Sequence, residues 1–355
     1  MSFSLALALL APLIATDTVD SWATLDCELA QLSTAVATTQ QGVGLSGHFR
    51  SYYTHDDSHV PGSGGVPDKA ANPNFSAFEL ESVRLRFEGG VEDISVAVSL
   101  DLETSTAVLV DAYARWAATP ELNLTFGRFK QTLLNSQQID ESRLLFVKRT
   151  ANAANLVRAE GLMVSGTFAD KRGMWSGTVD NGADGVSQDR EYIGRLTYDL
   201  VGAGAFGVFE GGVLTDEDSA NASIGLAYAD DRDVALGGRR TALELAGNAH
   251  GISVHADLID HSDGYGGVDG TTGSALAGTT PNSVTVSYMV REDVELGWRF
   301  ENFQDPSDTR RRSLIVNYYQ VLPHRVKWSL SYEDTGSDDL NVEERIFRAG
   351  LTLAF

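Results

Sequence analysis

Cysteine is nearly absent from this chain of 355 residues. Cys27 stands alone, which excludes an intrachain disulfide framework. Long apolar runs are missing too. Beyond residues 4–15, SLALALLAPLIA, no stretch approaches the roughly 20 apolar residues of a transmembrane helix, so a helical membrane protein is excluded. Basic residues are outnumbered, 27 Lys and Arg against 49 Asp and Glu, and a net charge of −22 argues against a nucleic-acid partner. There is no Gly-x-Ser-x-Gly nucleophile motif. The seven histidines show no metal-ligand cluster, so neither a metal nor another cofactor is expected. A barrel that crosses a membrane on strands survives all of these exclusions. Its strands are apolar only at alternate positions, and a hydrophobic content of 43% is compatible with that.

What the sequence does have is a period of two. In residues 94–103, Ile94, Val96, Val98, Leu100 and Leu102 alternate with Ser95, Ala97, Ser99, Asp101 and Glu103. In residues 345–355, Phe347, Ala349, Leu351, Leu353 and Phe355 share one face. A last strand that ends on an aromatic residue looks like the closing strand of a bacterial outer-membrane barrel, and Phe355 resembles the signal for the barrel-assembly machinery. The pattern predicts sixteen strands: 43–54, 77–89, 94–103, 107–117, 122–130, 158–168, 174–181, 190–200, 222–229, 241–248, 252–260, 283–290, 294–303, 311–320, 325–334 and 345–355. Val108, Val110, Ala112 and Trp116 are expected on the outer face of the fourth, opposite Leu109, Asp111, Tyr113 and Arg115. Trp175, Tyr192, Tyr198, Trp298, Tyr318, Trp328 and Tyr332 fall on apolar faces, as interfacial girdles require.

Connections alternate between short and long, the pattern of periplasmic turns and extracellular loops. Two break it: 104–106 is short where a long loop is expected, and 201–221 is long where a turn is expected, with 205–214 a candidate extra strand. At the amino-terminus, residues 1–15 read as a signal peptide cut after Ala15. Residues 16–41 read as a periplasmic segment with a short helix, from the spacing of Leu25, Leu29, Leu32 and Val36. Thr-Leu-Asp before Cys27 does not resemble a lipobox. Residues 42–355 are the barrel.

A sixteen-stranded barrel is wide enough for an aqueous channel. The third loop, 131–157, is the candidate constriction: it is proline-free, and Leu133-Leu134 and Leu144-Leu145-Phe146 can dock it against the wall. Candidate pore-lining residues are Arg50, Arg84, Arg86, Asp101, Glu103, Asp111 and Arg115. The loop and its flanks add Lys130, Arg143, Lys148, Arg149 and Arg158. Arg84, Arg86, Asp101, Glu103, Asp111 and Arg115 can instead pair across adjacent strands and stiffen the wall, and Lys148-Arg149 can instead anchor the loop to wall carboxylates.

Several motifs in order resemble the phosphate-selective porin O and P family over about residues 42–355. They are Ser82-Val-Arg-Leu-Arg-Phe-Glu-Gly89, Val110-Asp-Ala-Tyr113, Phe126-Gly-Arg-Phe-Lys130, Gly194-Arg-Leu-Thr-Tyr198, Val316-Asn-Tyr-Tyr319 and His324-Arg-Val-Lys-Trp328. The resemblance implies an all-β, sixteen-stranded antiparallel transmembrane barrel, a homotrimer with its third loop folded inward. It further implies outer-membrane lipid and lipopolysaccharide as surroundings; the Arg310-Arg-Arg312 run at a strand start is expected to be solvated or near lipopolysaccharide and not part of a filter. Small anions, phosphate among them, or other hydrophilic solutes would be the cargo. Asp140-Glu141 and the wall carboxylates depart from an all-basic path. Two rival readings are a surface receptor or adhesin using loops 55–76 and 261–282, and a barrel hydrolase built on Ser253, His255 and Asp257. Successive same-face residues on a strand lie about 7 Å apart, too far for a proton relay.

Overall fold

The computed structural model describes residues 42–57, 75–103, 106–154, 158–182, 190–207, 209–211, 220–231, 238–267, 275–305, 308–321, 325–337 and 342–355. The expected signal peptide and amino-terminal helix lie outside the described residues.

Sixteen strands form one closed antiparallel barrel. In chain order they are β1 (Gly44–Asp56), β2 (Phe75–Val91), β3 (Ile94–Asp101), β4 (Val108–Thr119), β5 (Leu122–Lys130), β6 (Arg158–Phe168), β7 (Gly173–Asp180) and β8 (Glu191–Val201). The second half is β9 (Ala220–Asp231), β10 (Gly238–Ala249), β11 (Ile252–His261), β12 (Asn282–Arg291), β13 (Val294–Asn302), β14 (Arg310–Val321), β15 (Val326–Ser337) and β16 (Val342–Ala354). Each strand neighbours the next in sequence, and β16 returns to β1 with His48 opposite Ala354 and Asp56 opposite Ile346. Closure leaves no free sheet edge, so the ladder satisfies its own backbone groups all the way round.

The barrel is apolar outside and polar inside. Along β15, Trp328, Leu330 and Tyr332 are exposed, whereas Lys327, Ser329, Ser331 and Glu333 are buried. In β16, Phe347 is exposed while Arg348 and Thr352 are buried. The period of two puts one set on each face, and the sign of the pattern is the reverse of a soluble barrel's. Exposed aromatic residues gather near both rims. Trp116, Trp175, Tyr288, Tyr318 and Trp328 lie towards the end where β1 begins, and Tyr53, Phe78, Tyr192, Tyr228 and Phe347 towards the other.

Apart from the β8–β9 connection, the hairpins at the β1-start end are short. His250 and Gly251, both at positive φ (51° and 76°), join β10 to β11 as a two-residue turn of the type whose twist matches the strands. At the rim of the seam, the Phe355 N–H donates to the Gly47 carbonyl at 3.0 Å and the Gly47 N–H returns the bond at 3.0 Å. The Phe355 ring lies over Gly47, where an added Cβ would meet it at 2.8 Å.

Three expectations are corrected. β3 stops at Asp101, leaving Glu103 beyond the strand, where its N–H donates to Asp101 Oδ1 at 3.0 Å. In β4 a bulge places Ser99 opposite Asp111 but Leu100 opposite Leu109, so Val110 is the extra residue. Facing therefore switches there: Val110 is buried (8%) and Leu109 exposed (47%), the reverse of the alternation expected from sequence. Finally, of the candidate strand at 205–214, residues 205–207 and 209–211 form no strand, residues 208 and 212–214 lie outside the described residues, and the barrel closes at sixteen.

Candidate functional site: the lumen and its constriction

The third loop runs into the lumen and is held there along its length. Two short helices, α1 (Asn135–Gln138) and α2 (Ala151–Ala154), and a 3-10 turn (Glu141–Arg143) give it shape. Leu133 and Leu134, both fully buried, pack with Ile193, Ala227, Ala229, Ala242 and Ile259 of β8 to β11. Leu145 and Phe146 pack with Ile315 of β14. These wall residues are small or apolar at inward positions, a local break in the polar lining that makes a dry seat. Burying each leucine contributes about 1.5–3 kcal/mol.

Polar anchors come from the wall. Arg195 Nη1 donates to the Leu133 carbonyl at 2.8 Å, Lys327 Nζ to the Leu144 carbonyl at 2.5 Å, Arg299 Nη1 to the Lys148 carbonyl at 2.8 Å, and Arg50 to the Val147 carbonyl. Wall carboxylates accept loop N–H groups: Glu244 from Asn135 at 2.6 Å and Glu301 from Ala151 at 2.7 Å. Asp257 accepts from the Asn152 side chain at 2.5 Å and from Ser283 at 2.6 Å. A loop of this length carries many backbone groups that must find partners when buried, and the wall charges supply them.

At the tip, Asp140 and Glu141 reach the opposite wall. Asp140 caps the 3-10 turn, accepting from the Ser142 N–H at 2.9 Å, and lies 3.3 Å from His48 Nδ1. Glu141 accepts from the Ser82 hydroxyl at 2.9 Å and pairs with Arg84 at 3.1 Å. Burial alone pushes the Asp140 carboxyl up, but the His48 contact and the bonds from Ser142 outweigh it and hold it below its ordinary value. Burial also pushes Glu141 up, and its bond to His48 with the charges of Arg84, Arg149 and Arg50 brings it well below the ordinary value. Arg149 clips the loop to itself, donating to the Ser136 carbonyl at 2.7 Å and the Ile139 carbonyl at 2.5 Å. Burial pulls it down to about 10, so it remains a cation at neutral pH.

Between this loop and the β1–β6 wall lies a cavity of about 670 Å³. Arg84, Arg86, Arg115, Lys130, Arg143, Arg158 and Arg325 line it, against Glu88, Asp111 and Asp140 among acidic residues. Some of these charges are paired: Arg86 with Glu88 at 2.7 Å, Arg158 with Asp111 at 2.7 Å, and Arg84 with Asp101 at 3.1 Å. Arg115, Arg143 and Arg325 have no carboxylate partner among the described residues. Arg86 and Arg115 flank the Tyr113 ring, each 5.7 Å from its centre, and Arg143 lies over Phe209 at 5.2 Å. Such contacts orient a guanidinium without neutralising it.

Of the residues expected from sequence, Arg84, Arg86, Asp111, Arg115, Lys130, Arg143 and Arg158 meet at this cavity. Lys130 does so while donating to the carbonyls of Gln137 at 3.0 Å and Ile139 at 3.2 Å. Arg50 is buried behind the loop, Asp101 and Glu103 stand towards the far rim, Lys148 is exposed, and Arg149 is the internal clip. Arg325 and Phe209 were missed. Arg325 lies in a motif of the family resemblance, but Phe209 carries no local signal.

Solved structures share this architecture. The outer membrane channel DcaP of Acinetobacter baumannii superposes with a TM-score of 0.58 at 13% identity, over 90% of this chain and 98% of that one. The anion-selective porin from Comamonas acidovorans gives 0.58 at 14% identity, over 89% and 100%. Pseudomonas aeruginosa OpdQ gives 0.53 at 10%, over 88% and 98%. This chain has a porin fold. No family model matches it and no curated protein matches it in sequence, so the narrower likeness to the phosphate-selective family rests on its motifs alone.

Proposed function

We propose that this porin-like barrel spans the bacterial outer membrane and passes small hydrophilic solutes by diffusion, with a preference for anions. The apolar outer belt with aromatic residues near both rims suits a bilayer, and the charged lumen suits water. The observation that carries anion preference is the cavity lining, where cations outnumber carboxylates although the chain as a whole has a net charge of −22. Selectivity follows the charges at the narrow path and not the sum, because low-dielectric walls focus the field of the groups that face it. Arg115, Arg143 and Arg325 set that field in this reading, and the planar guanidinium fork suits carboxylate and phosphate oxygens. Phosphate is one such anion, and the family resemblance is what favours it. Trimer assembly and recognition of Phe355 by the assembly machinery belong to the same proposal.

The test is swelling of liposomes containing the purified protein, in isosmotic neutral sugars of rising size and in salts that pair one permeant ion with one impermeant ion. The expected outcome is entry of small sugars with a size cut-off, and faster swelling with the permeant anion. Equal rates for anion and cation would leave a channel and remove the anion preference. No swelling from a folded barrel would favour the receptor reading.

A further inference from the structure

The connection between β8 and β9, residues 202–219, is long where a short turn is expected, and residues 202–207 and 209–211 of it are described. Gly202 and Gly204 both adopt positive φ (59° and 77°), and a side chain at Gly202 would strike Asn221 Oδ1 at 2.0 Å. The Ala203 N–H donates to Asn221 Oδ1 at 3.1 Å and the Gly204 N–H to Asp199 Oδ2 at 3.2 Å. These two left-handed residues turn the chain back on itself, where any other residue would be strained.

Beyond the reversal, the contacts belong to the lumen. The Phe206 ring lies under Arg195 at 5.7 Å and against Gly225 of β9. Glu210, 3% exposed, joins three parts of the barrel. Its Oε1 pairs with Arg299 of β13 at 2.5 Å, and its Oε2 accepts from the Leu145 N–H at 2.8 Å. Its own N–H donates to the Arg143 carbonyl at 3.2 Å. Arg299 in turn lies over the Phe146 ring at 4.2 Å and donates to the Lys148 carbonyl. Phe209, the residue before, projects into the cavity beside Arg143.

We propose that this segment is a second constriction element, entering from the β1-start end opposite the third loop, with Glu210 as the positioning residue and Phe209 as the group that meets permeating solute. The proposal rests on the channel reading. Glu210 fixes the third loop at Leu145 and Arg143, so the two elements act as one narrowing. A buried carboxylate that satisfies a loop N–H and a wall guanidinium together leaves both uncompensated when removed.

The experiment uses the full chain in planar bilayers with Cys27→Ser as parent. Phe209→Cys is treated with a negatively charged methanethiosulfonate, and labelling is verified by mass. The expected result is a loss of single-channel current on labelling, with the parent unaffected. A labelled thiol with unchanged current, or a thiol that does not react, would overturn the proposal. Glu210→Ala is expected to raise open-channel noise and speed labelling at position 209, with Glu210→Gln intermediate because it keeps an acceptor for Leu145. Parent-like noise and labelling rate in both, in barrels that keep heat-modifiable migration, would overturn the positioning role. If the parent itself carries no current, the channel reading fails and takes this inference with it. A conducting parent that fails only these tests leaves the channel reading standing.

Discussion

His48, Ser82 and Arg84 hold the tip of the third loop through Asp140 and Glu141, and the sign of those charges sets how the constriction responds to acid. Docked, both carboxylates lie below their ordinary values; undocked, they return to about 4. Their contribution to docking is therefore complete above the undocked values and is lost as the pH falls below them towards the depressed docked ones. The groups that face them, His48, Arg84, Arg50 and Arg149, are all basic, so a loss of docking in acid belongs to the carboxylates. Open-channel noise is expected to be no higher at about pH 5 than at pH 7 and to rise near pH 3, with the change reversed on return to neutral pH. Noise that rises between pH 7 and 5 and then stays level would move control to another group.

At the scale of elements, the strands were legible because a wall with water on one side and an apolar medium on the other imposes a period of two on every segment. All sixteen were located, with ends adjusted by a few residues. The bulge in β4 was not, since Val108-Leu-Val110 are all apolar and give no cue to which of them faces inward. The third loop was readable from its length and its two apolar clusters, Leu133-Leu134 and Leu144-Leu145-Phe146. Its docking is a prediction that packing can test. Leu133→Ala with Leu134→Ala empties the seat formed by Ile193, Ala227, Ala229, Ala242 and Ile259. Each truncation is expected to cost about 2–5 kcal/mol of local packing. The barrel ladder is untouched, so heat-modifiable migration should persist while protease cleavage within 131–157 and single-channel conductance both increase. Wild-type protease resistance in that variant would mean that the polar anchors alone hold the loop. The segment 202–211 was legible only as an anomaly of length. Its seat depends on Glu210 meeting Arg299, 89 residues away, and no local pattern encodes such a contact.

For the whole molecule, the net charge and the cavity lining have opposite signs. The chain as a whole is acidic, while the residues that the fold brings to the cavity are mainly basic, which is what the proposed anion preference rests on. Topology is what gathers these basic residues. Arg84, Arg115 and Arg325 come from β2, β4 and the turn before β15, and strand order around a closed wall brings β15 within one strand of β1. The measurement that tests this most directly is the reversal potential of the purified protein in a planar bilayer under a KCl gradient. The account predicts a potential on the chloride side, reduced when Arg115 and Arg143 are both replaced by glutamine. A potential on the potassium side in the unmodified protein would contradict it and give the path to the carboxylates.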